Sequence, residues 1–351
     1  MARFVKSILV ASVLAVSGSA AMAADDPAQM CDAMAGSPDD LDLPSDVAGV
    51  AYADLDPSDA VAEACQAAID AHPNERRFHT HMGRIYSKRG DYGRAVEAYR
   101  LAHGQGSAVA SNNLGSMYMS GEGVVASEER ATLYIRRAAN RGLPFAMVTM
   151  GARARTGRGM PENPRMAVYW YERALEAGDA GAANDLGVMY QTGMGVREDD
   201  ARAMDLFAEA LRRDPGHALA AYNIAQAYEA GEGVPADLGW ARGYYVLAFE
   251  AGDADAAAEV GRFHAEGLGT VADPAMAAEW YALGAAGGSL SATVILADAY
   301  VEGTGVEADV EKARTLFVSA LDLDPNDTWR AYIEERLIAL PLPEAAPQAA
   351  E

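Results

Sequence analysis

A segment ending in Gly-x-Gly returns six times at nearly constant spacing, and this periodicity narrows the possible folds more than any other feature. The segments read NNLGSMYMSGEGV from Asn112, VTMGARARTGRGM from Val148, NDLGVMYQTGMGV from Asn184, YNIAQAYEAGEGV from Tyr222, AEVGRFHAEGLGT from Ala258 and VILADAYVEGTGV from Val294. Their first glycines are Gly121, Gly157, Gly193, Gly231, Gly267 and Gly303, spaced by 36 residues except for one interval of 38. Ala131, Ala167, Ala203, Ala241, Ala277 and Ala313 keep the same intervals. Self-similarity at such a period marks a stacked array, in which one unit cannot bury its apolar face alone.

Each unit reads as helix–turn–helix. Leu114, Met117 and Tyr118 fall at i, i+3 and i+4 and form one apolar stripe. Bulky pairs follow each repeated alanine, such as Trp170 and Tyr171, Leu206 and Phe207, or Trp280 and Tyr281. Gly115, Gly151, Gly187 and Gly261 sit inside the first helix, where glycine costs about 0.5–1 kcal/mol relative to alanine. That placement predicts a neighbouring helix in close approach. The Gly-x-Gly turn ends the helix, because glycine adopts the left-handed cap conformation without strain. The two extra residues between the third and fourth units fall at Asp214-Pro215-Gly216-His217, a natural turn.

Upstream the pattern shifts. HMGRIYSKRGDYGRAVEAYRLA, from His81 to Ala102, resembles a tetratricopeptide unit through Gly83, Tyr86, Ala95, Tyr99 and Ala102. Ala60 to Pro73 resembles the second helix of a similar unit, with Cys65 in the large-residue position. The 36-residue units themselves resemble Sel-one-like repeats, relatives of the tetratricopeptide family. The resemblance covers Ala60 to Asp327, with Ala154 and His264 standing where the aromatic Tyr118 stands in the first unit. It implies an all-α, right-handed α-solenoid with tetratricopeptide-like units over residues 60–107 and six Sel-one-like repeats over 108–326. It also implies an interaction scaffold, a role that leaves the partner open. One cysteine-rich branch of the family is linked to β-lactam binding; this chain lacks a cysteine pair in each repeat, so that activity is not carried over.

The ends follow from the need to cap a solenoid. Trp329, Tyr332, Ile333, Arg336, Leu337 and Leu340 predict an amphipathic capping helix over residues 327–340, stopped by Pro341 and Pro343, with a disordered tail over 341–351. Residues 24–59, rich in Asp, Pro and small side chains, predict an acidic extended lead-in. Residues 1–23 read as a secretory signal peptide: basic Arg3 and Lys6, an apolar run from Ile8 to Val16, and Ala21-Met22-Ala23 before the expected cut. The run is too short to span a bilayer, which takes about 20 residues. No later segment predicts a transmembrane helix, so the expected address is the periplasm. There Cys31 and Cys65, the two cysteines of the chain, are most simply a disulfide. A redox-active pair is the alternative, but the C-x-x-C spacing is missing.

Charge is uneven. The chain carries −23 in all. Residues 24–75 hold thirteen acids and no Lys or Arg, residues 76–173 have a net charge of +9, and residues 174–351 have −21. The plain reading is an ordinary solvated surface. The functional one is a polarised binding surface that steers an oppositely charged partner. A sharper expectation is that the acidic lead-in folds over the basic units and competes with a ligand, so that deleting residues 24–57 raises affinity for acidic ligands. Nucleic acid is excluded as a partner by the acidic balance and the export signal.

The resemblance places a binding groove on the first helices. Carried over position by position, the groove residues are Arg84, Ser87 and Lys88, then Asn112, Ser116 and Met119, then Arg155. Asn184 and Gln191 follow, then Gln226 and Glu229, Arg262 and Glu266, and Asp298 and Glu302. Arg84, Lys88 and Arg155 stand out as candidates. Each is also readable as a solvated helix residue. For catalysis, metal or cofactor binding the sequence offers little. His79 and His81 lie on opposite sides of a helix, the metalloprotease H-E-x-x-H pattern does not occur, and the Gly-x-Gly turns join helix to helix rather than strand to helix. The expected function is a periplasmic protein–protein interaction scaffold or regulatory adaptor that holds another envelope protein or peptide. The alternative is a receptor for peptidoglycan fragments or an anionic polymer; a hydrolase is the remote third.

Overall fold

A computed structural model describes residues 26–341. The expected signal peptide and the expected disordered tail beyond Pro341 lie outside these residues. The described chain is an all-α repeat solenoid of seventeen helices, and it divides into two compact units at Ala110/Ser111.

The first unit holds α1 (Pro27–Ala35), α2 (Asp59–Ala71), α3 (Arg76–Lys88), α4 (Tyr92–Gly104) and the start of α5 (Ala108–Ser120). The lead-in is therefore not extended throughout. Asp26 accepts from the Ala28 N–H, and Pro27 opens α1; an Asp cap followed by proline favours helix initiation. Cys31 of α1 is bonded to Cys65 of α2, and both are fully buried among Val61, Phe78 and Ile85.

The second unit continues with α6 (Glu128–Asn140), α7 (Pro144–Thr156), α8 (Pro164–Glu176), α9 (Ala180–Gln191), α10 (Asp200–Arg213), α11 (Ala218–Ala230) and α12 (Leu238–Glu250). It closes with α13 (Ala254–Glu266), α14 (Pro274–Ala286), α15 (Leu290–Glu302), α16 (Val310–Asp322) and α17 (Arg330–Ala339). From α6 onward each helix packs on the next.

The interior glycines mark close helix approach. A Cβ on Gly187 of α9 would lie 2.5 Å from the Phe207 ring of α10, and one on Gly151 of α7 equally close to the Tyr171 ring of α8. The turns need glycine for a second reason. Gly195 has φ of 78°, and a Cβ there would meet the Pro164 carbonyl carbon at 2.5 Å. The turn glycine thus seats one repeat against the second helix of the repeat before it.

A periodic helix cap lies beside these glycines. Asn163, Asp199, Asp273 and Asp309 each accept, through the side chain, from the backbone N–H three residues on, at 2.9–3.0 Å. Their own backbone N–H groups return to the carbonyls of Ala154, Tyr190, His264 and Tyr300. Each turn is closed from both sides. Such caps contribute about 1 kcal/mol apiece.

Candidate functional site

The groove positions of the first helices fall into three settings, and only one of them is open.

In the first unit the lead-in lies across α3. Arg84 is 3% exposed. Its guanidinium donates to the carbonyls of Ala35 (2.6 Å) and Val50 (2.5 Å). Burial pulls its pKa below the usual arginine value. Lys88 donates to the carbonyls of Tyr52 and Ala53, and the Ser87 hydroxyl lies 3.1 Å from the Tyr52 hydroxyl. Arg76 pairs with Asp42 at 2.5 Å, Arg77 with Asp32 at 3.1 Å, and Arg89 with Asp59 at 3.0 Å. Arg84, Ser87 and Lys88 are thus engaged by the chain itself, largely through main-chain carbonyls that carry no sequence signature. Replacing Arg84 with alanine leaves two carbonyls without that donor, and hydrogen bonds to a charged group are worth about 1.5–3 kcal/mol each. We expect Arg84→Ala to lower the stability of the first unit by about 2–3 kcal/mol, read by urea unfolding; a loss under about 0.5 kcal/mol would contradict this assignment.

At the other end, α17 covers the groove positions of α15. Arg336 lies 2.5 Å from Asp298 and 3.9 Å from Glu302, and the Tyr332 hydroxyl donates to Asp298 at 2.6 Å. Ile333 and Leu340 bury against Val294, Ala297 and Phe317. The carboxylate of Asp324 accepts from the N–H groups of Thr328 and Trp329 and fixes the approach of the helix.

Between these settings the groove positions, Asn184 apart, are half-buried or exposed. Asn184 is buried and accepts from Asn223 at 2.8 Å, linking α9 to α11. Arg155 is exposed, beside Tyr171 and Asp185. Burial raises the Asp185 pKa, and Arg155 partly offsets that rise. Asn112 is half-buried, and Ser116 is exposed with its hydroxyl directed to the Asn112 carbonyl. The Met119 sulfur accepts from Arg153, whose buried guanidinium is held mainly by Thr132 and Glu128.

Several groove positions converge between α9 and α13. A cavity of about 570 Å³ is lined by Gln191, Tyr222, Gln226, Glu229, Glu259 and Arg262, with Tyr245 and Glu232 at its edges. Arg262 is its hub: it pairs with Glu229 at 2.7 Å, Glu259 at 2.9 Å and, more loosely, Glu266 at 3.9 Å. Burial acts against its charge, but Glu229 and Glu259 prevail and hold its pKa above the usual value. Tyr245 donates to Glu229 at 3.0 Å, and Gln191 donates to Glu232 at 3.2 Å. Burial, then the Glu259 charge, pushes the Tyr222 pKa up to about 12. Gln191, Gln226, Glu229 and Arg262 come together here from three separate repeats. Tyr222, Tyr245, Glu232 and Glu259 were not singled out by the sequence. Tyr222 and Tyr245 stack edge-to-face at 5.1 Å, and the Tyr245 hydroxyl reaches Glu229 at the cavity. The arrangement gathers carboxylates, amides and phenols around one guanidinium. Among the described residues no group of three or more His, Cys, Asp or Glu side chains is placed to hold a metal ion. Nor is any described helix long and apolar enough to cross a membrane.

Known proteins bear on this geometry. A search of curated proteins returned no match. Among solved structures the chain is similar to a Sel1 repeat protein from Oxalobacter formigenes, at 27% identity and a TM-score of 0.62, over 69% of this chain and 96% of that one. It is also similar to c5321, a protective antigen of uropathogenic Escherichia coli with an SLR fold, at 26% identity and a TM-score of 0.63; the match covers 81% of this chain but 61% of c5321. Yeast Tom70 shares the fold at 14% identity and a TM-score of 0.50, over 80% of this chain and 58% of that one. The Sel1 repeat profile matches residues 108–143, 144–179, 180–215, 218–253, 254–289 and 291–325. With more than half of its length in these six repeats, the chain belongs to the Sel1 repeat family.

Proposed function

We propose that this protein is a periplasmic interaction scaffold or regulatory adaptor, and that it holds another envelope protein or a peptide in the groove between α9 and α13. Sel1 and tetratricopeptide-like repeats generally mediate protein–protein interaction. The observation that carries the reading is the contrast along the array. The groove positions of α3 and α15 are filled by the chain's own segments, whereas Gln191, Gln226, Glu229 and Arg262 surround an open cavity. Export is supported by the leader pattern in the sequence and by the buried Cys31–Cys65 disulfide, which suits an oxidising compartment.

The polymer-receptor reading draws less support. It rests on the basic half, residues 76–173, and within that half the lead-in takes up Arg76, Arg84 and Lys88 of α3. For the scaffold reading, Gln226 and Glu232 are both exposed, so Gln226→Trp with Glu232→Arg should block the groove without disturbing the core. Purification after mild cross-linking in cells should recover a discrete partner with the wild type and lose it, by tenfold or more, with the folded variant. Equal recovery by both would place the partner elsewhere on the molecule.

A further inference from the structure

The groove chemistry points to one kind of occupant. We infer that it receives a cationic helix presenting an arginine and a tyrosine one turn apart; this rests on reading the groove as the partner site.

The chain contains its own template for such a contact. Asp298 and Glu302 of α15 stand one repeat, 36 residues, after Arg262 and Glu266 of α13, and Gln226 of α11 stands 36 residues before Arg262. These are equivalent groove positions. At Asp298 and Glu302 the occupant is visible: α17, with Tyr332 and Arg336 four residues apart on one face. The phenol donates to one carboxylate oxygen of Asp298 while the guanidinium meets the other. Groove positions of this array therefore accept a helix through a Tyr–Arg pair.

At the positions equivalent to Asp298 the open cavity carries Arg262 and Gln226, and its carboxylates stand beside these rather than in place of them. Glu229, Glu232 and Glu259 line it, and Arg262 pairs with Glu229 and Glu259. Carboxylates outnumber the cation, so an acidic guest would meet net repulsion. A guanidinium would meet charge-assisted acceptors at the remaining oxygens of Glu232 and Glu259. The half-buried ring of Tyr222 beside Gln226 gives a tyrosine a surface to pack on. At about 570 Å³ the cavity lies within the range, about 300–1,000 Å³, that encloses small ligands. It suits a few anchoring side chains of a docked helix, a mode in which residues at i and i+4 supply the anchors. Arg262 acts as a place-holder. It satisfies Glu229 and Glu259 and leaves Glu232, exposed and bonded only to Gln191 at one oxygen, for the guest.

The test uses the disulfide-intact protein and a fluorescent, alanine-based helical peptide that carries a tyrosine and arginines at four-residue spacing. Its control is the same peptide with glutamate in place of arginine. Fluorescence anisotropy should show the arginine peptide binding at least tenfold more tightly than its control, with affinity falling as salt rises. Glu232→Gln, an exposed change, should weaken it several-fold, and Glu229→Gln with Glu232→Gln should weaken it tenfold or more while the helical circular dichroism stays unchanged. Absence of binding by the wild type, equal binding of the two peptides, or indifference to both variants would overturn the inference. So would self-association relieved by Glu232→Arg, which would make a second copy the occupant. If the cellular partner is lost on blocking the groove but the peptide does not bind, the scaffold reading stands and the stated chemistry falls. If blocking the groove loses no partner, the scaffold site itself fails, whatever the peptide does.

Discussion

Replacing Phe207 with alanine should destabilise the second unit by about 3–5 kcal/mol, the range for deleting a fully buried aromatic ring. Phe207 is 1% exposed. Its ring covers Gly187 of α9, and it packs with Ala203 and with Ile224 of α11. It therefore joins the two helices of one repeat and also touches the next repeat, across the longer turn at Asp214 to His217. Arrays in which each repeat touches only its neighbours store stability in such interfaces. The loss should appear first as weakened hydrogen-exchange protection in α9 to α11, with the melting temperature falling as well. Gly187→Val tests the same contact from the other side: the added branches have no room against the ring and should cost about 1–3 kcal/mol. A Phe207→Ala protein that lost less than about 1 kcal/mol would contradict this packing account.

Removing the disulfide by Cys31→Ser with Cys65→Ser should cost the first unit about 3–4 kcal/mol, the chain-entropy value for a closed loop of this size; the two cysteines are 34 residues apart. The consequence reaches α3. The lead-in is held there by the disulfide, by the Arg84 and Lys88 contacts to its carbonyls, and by the Arg76–Asp42 and Arg77–Asp32 pairs. Without the covalent tie, the more exposed Arg76–Asp42 pair contributes little. Urea unfolding should show the loss, and limited proteolysis should cut between Gly36 and Pro57 in the double variant before it cuts the wild type. Equal protection of both proteins would mean that the polar contacts hold the lead-in unaided. The freed α3 would also expose its basic side chains, which is where deletion of residues 24–57 is expected to raise affinity for acidic ligands.

The repeat carried most of the fold into view. Period, turn glycines and the Ala-x-x-aromatic face located the helix pairs because each reflects a local requirement: a left-handed cap, a stripe at helical spacing, a small residue under a ring. The helix caps at Asn163, Asp199, Asp273 and Asp309 were equally periodic in the sequence and were readable by the same logic. So was α1, announced by Asp26 and Pro27. The candidate site was legible only in part. Gln191, Gln226, Glu229 and Arg262 share a cavity because repeat geometry places equivalent positions side by side. Tyr222 and Tyr245 read as core residues, since nothing local distinguishes a buried ring with an inward hydroxyl from one whose hydroxyl faces a groove. Arg84 and Lys88 looked open because their partners are main-chain carbonyls 34–49 residues away. Asp298 looked open because Arg336 and Tyr332 reach it from a helix beyond the last repeat.

The cavity between α9 and α13 is the site at which this protein is proposed to meet its partner. The most direct measurement is site-specific photo-cross-linking in cells, with the reactive side chain placed at exposed Gln226 on the groove and, in a parallel strain, at Val271, which is 85% exposed in a turn. The account predicts a discrete protein adduct from position 226, none from position 271, and loss of the adduct when Glu229 and Glu232 are changed to glutamine. Adducts of equal yield from both positions, or an adduct from position 271 alone, would contradict it.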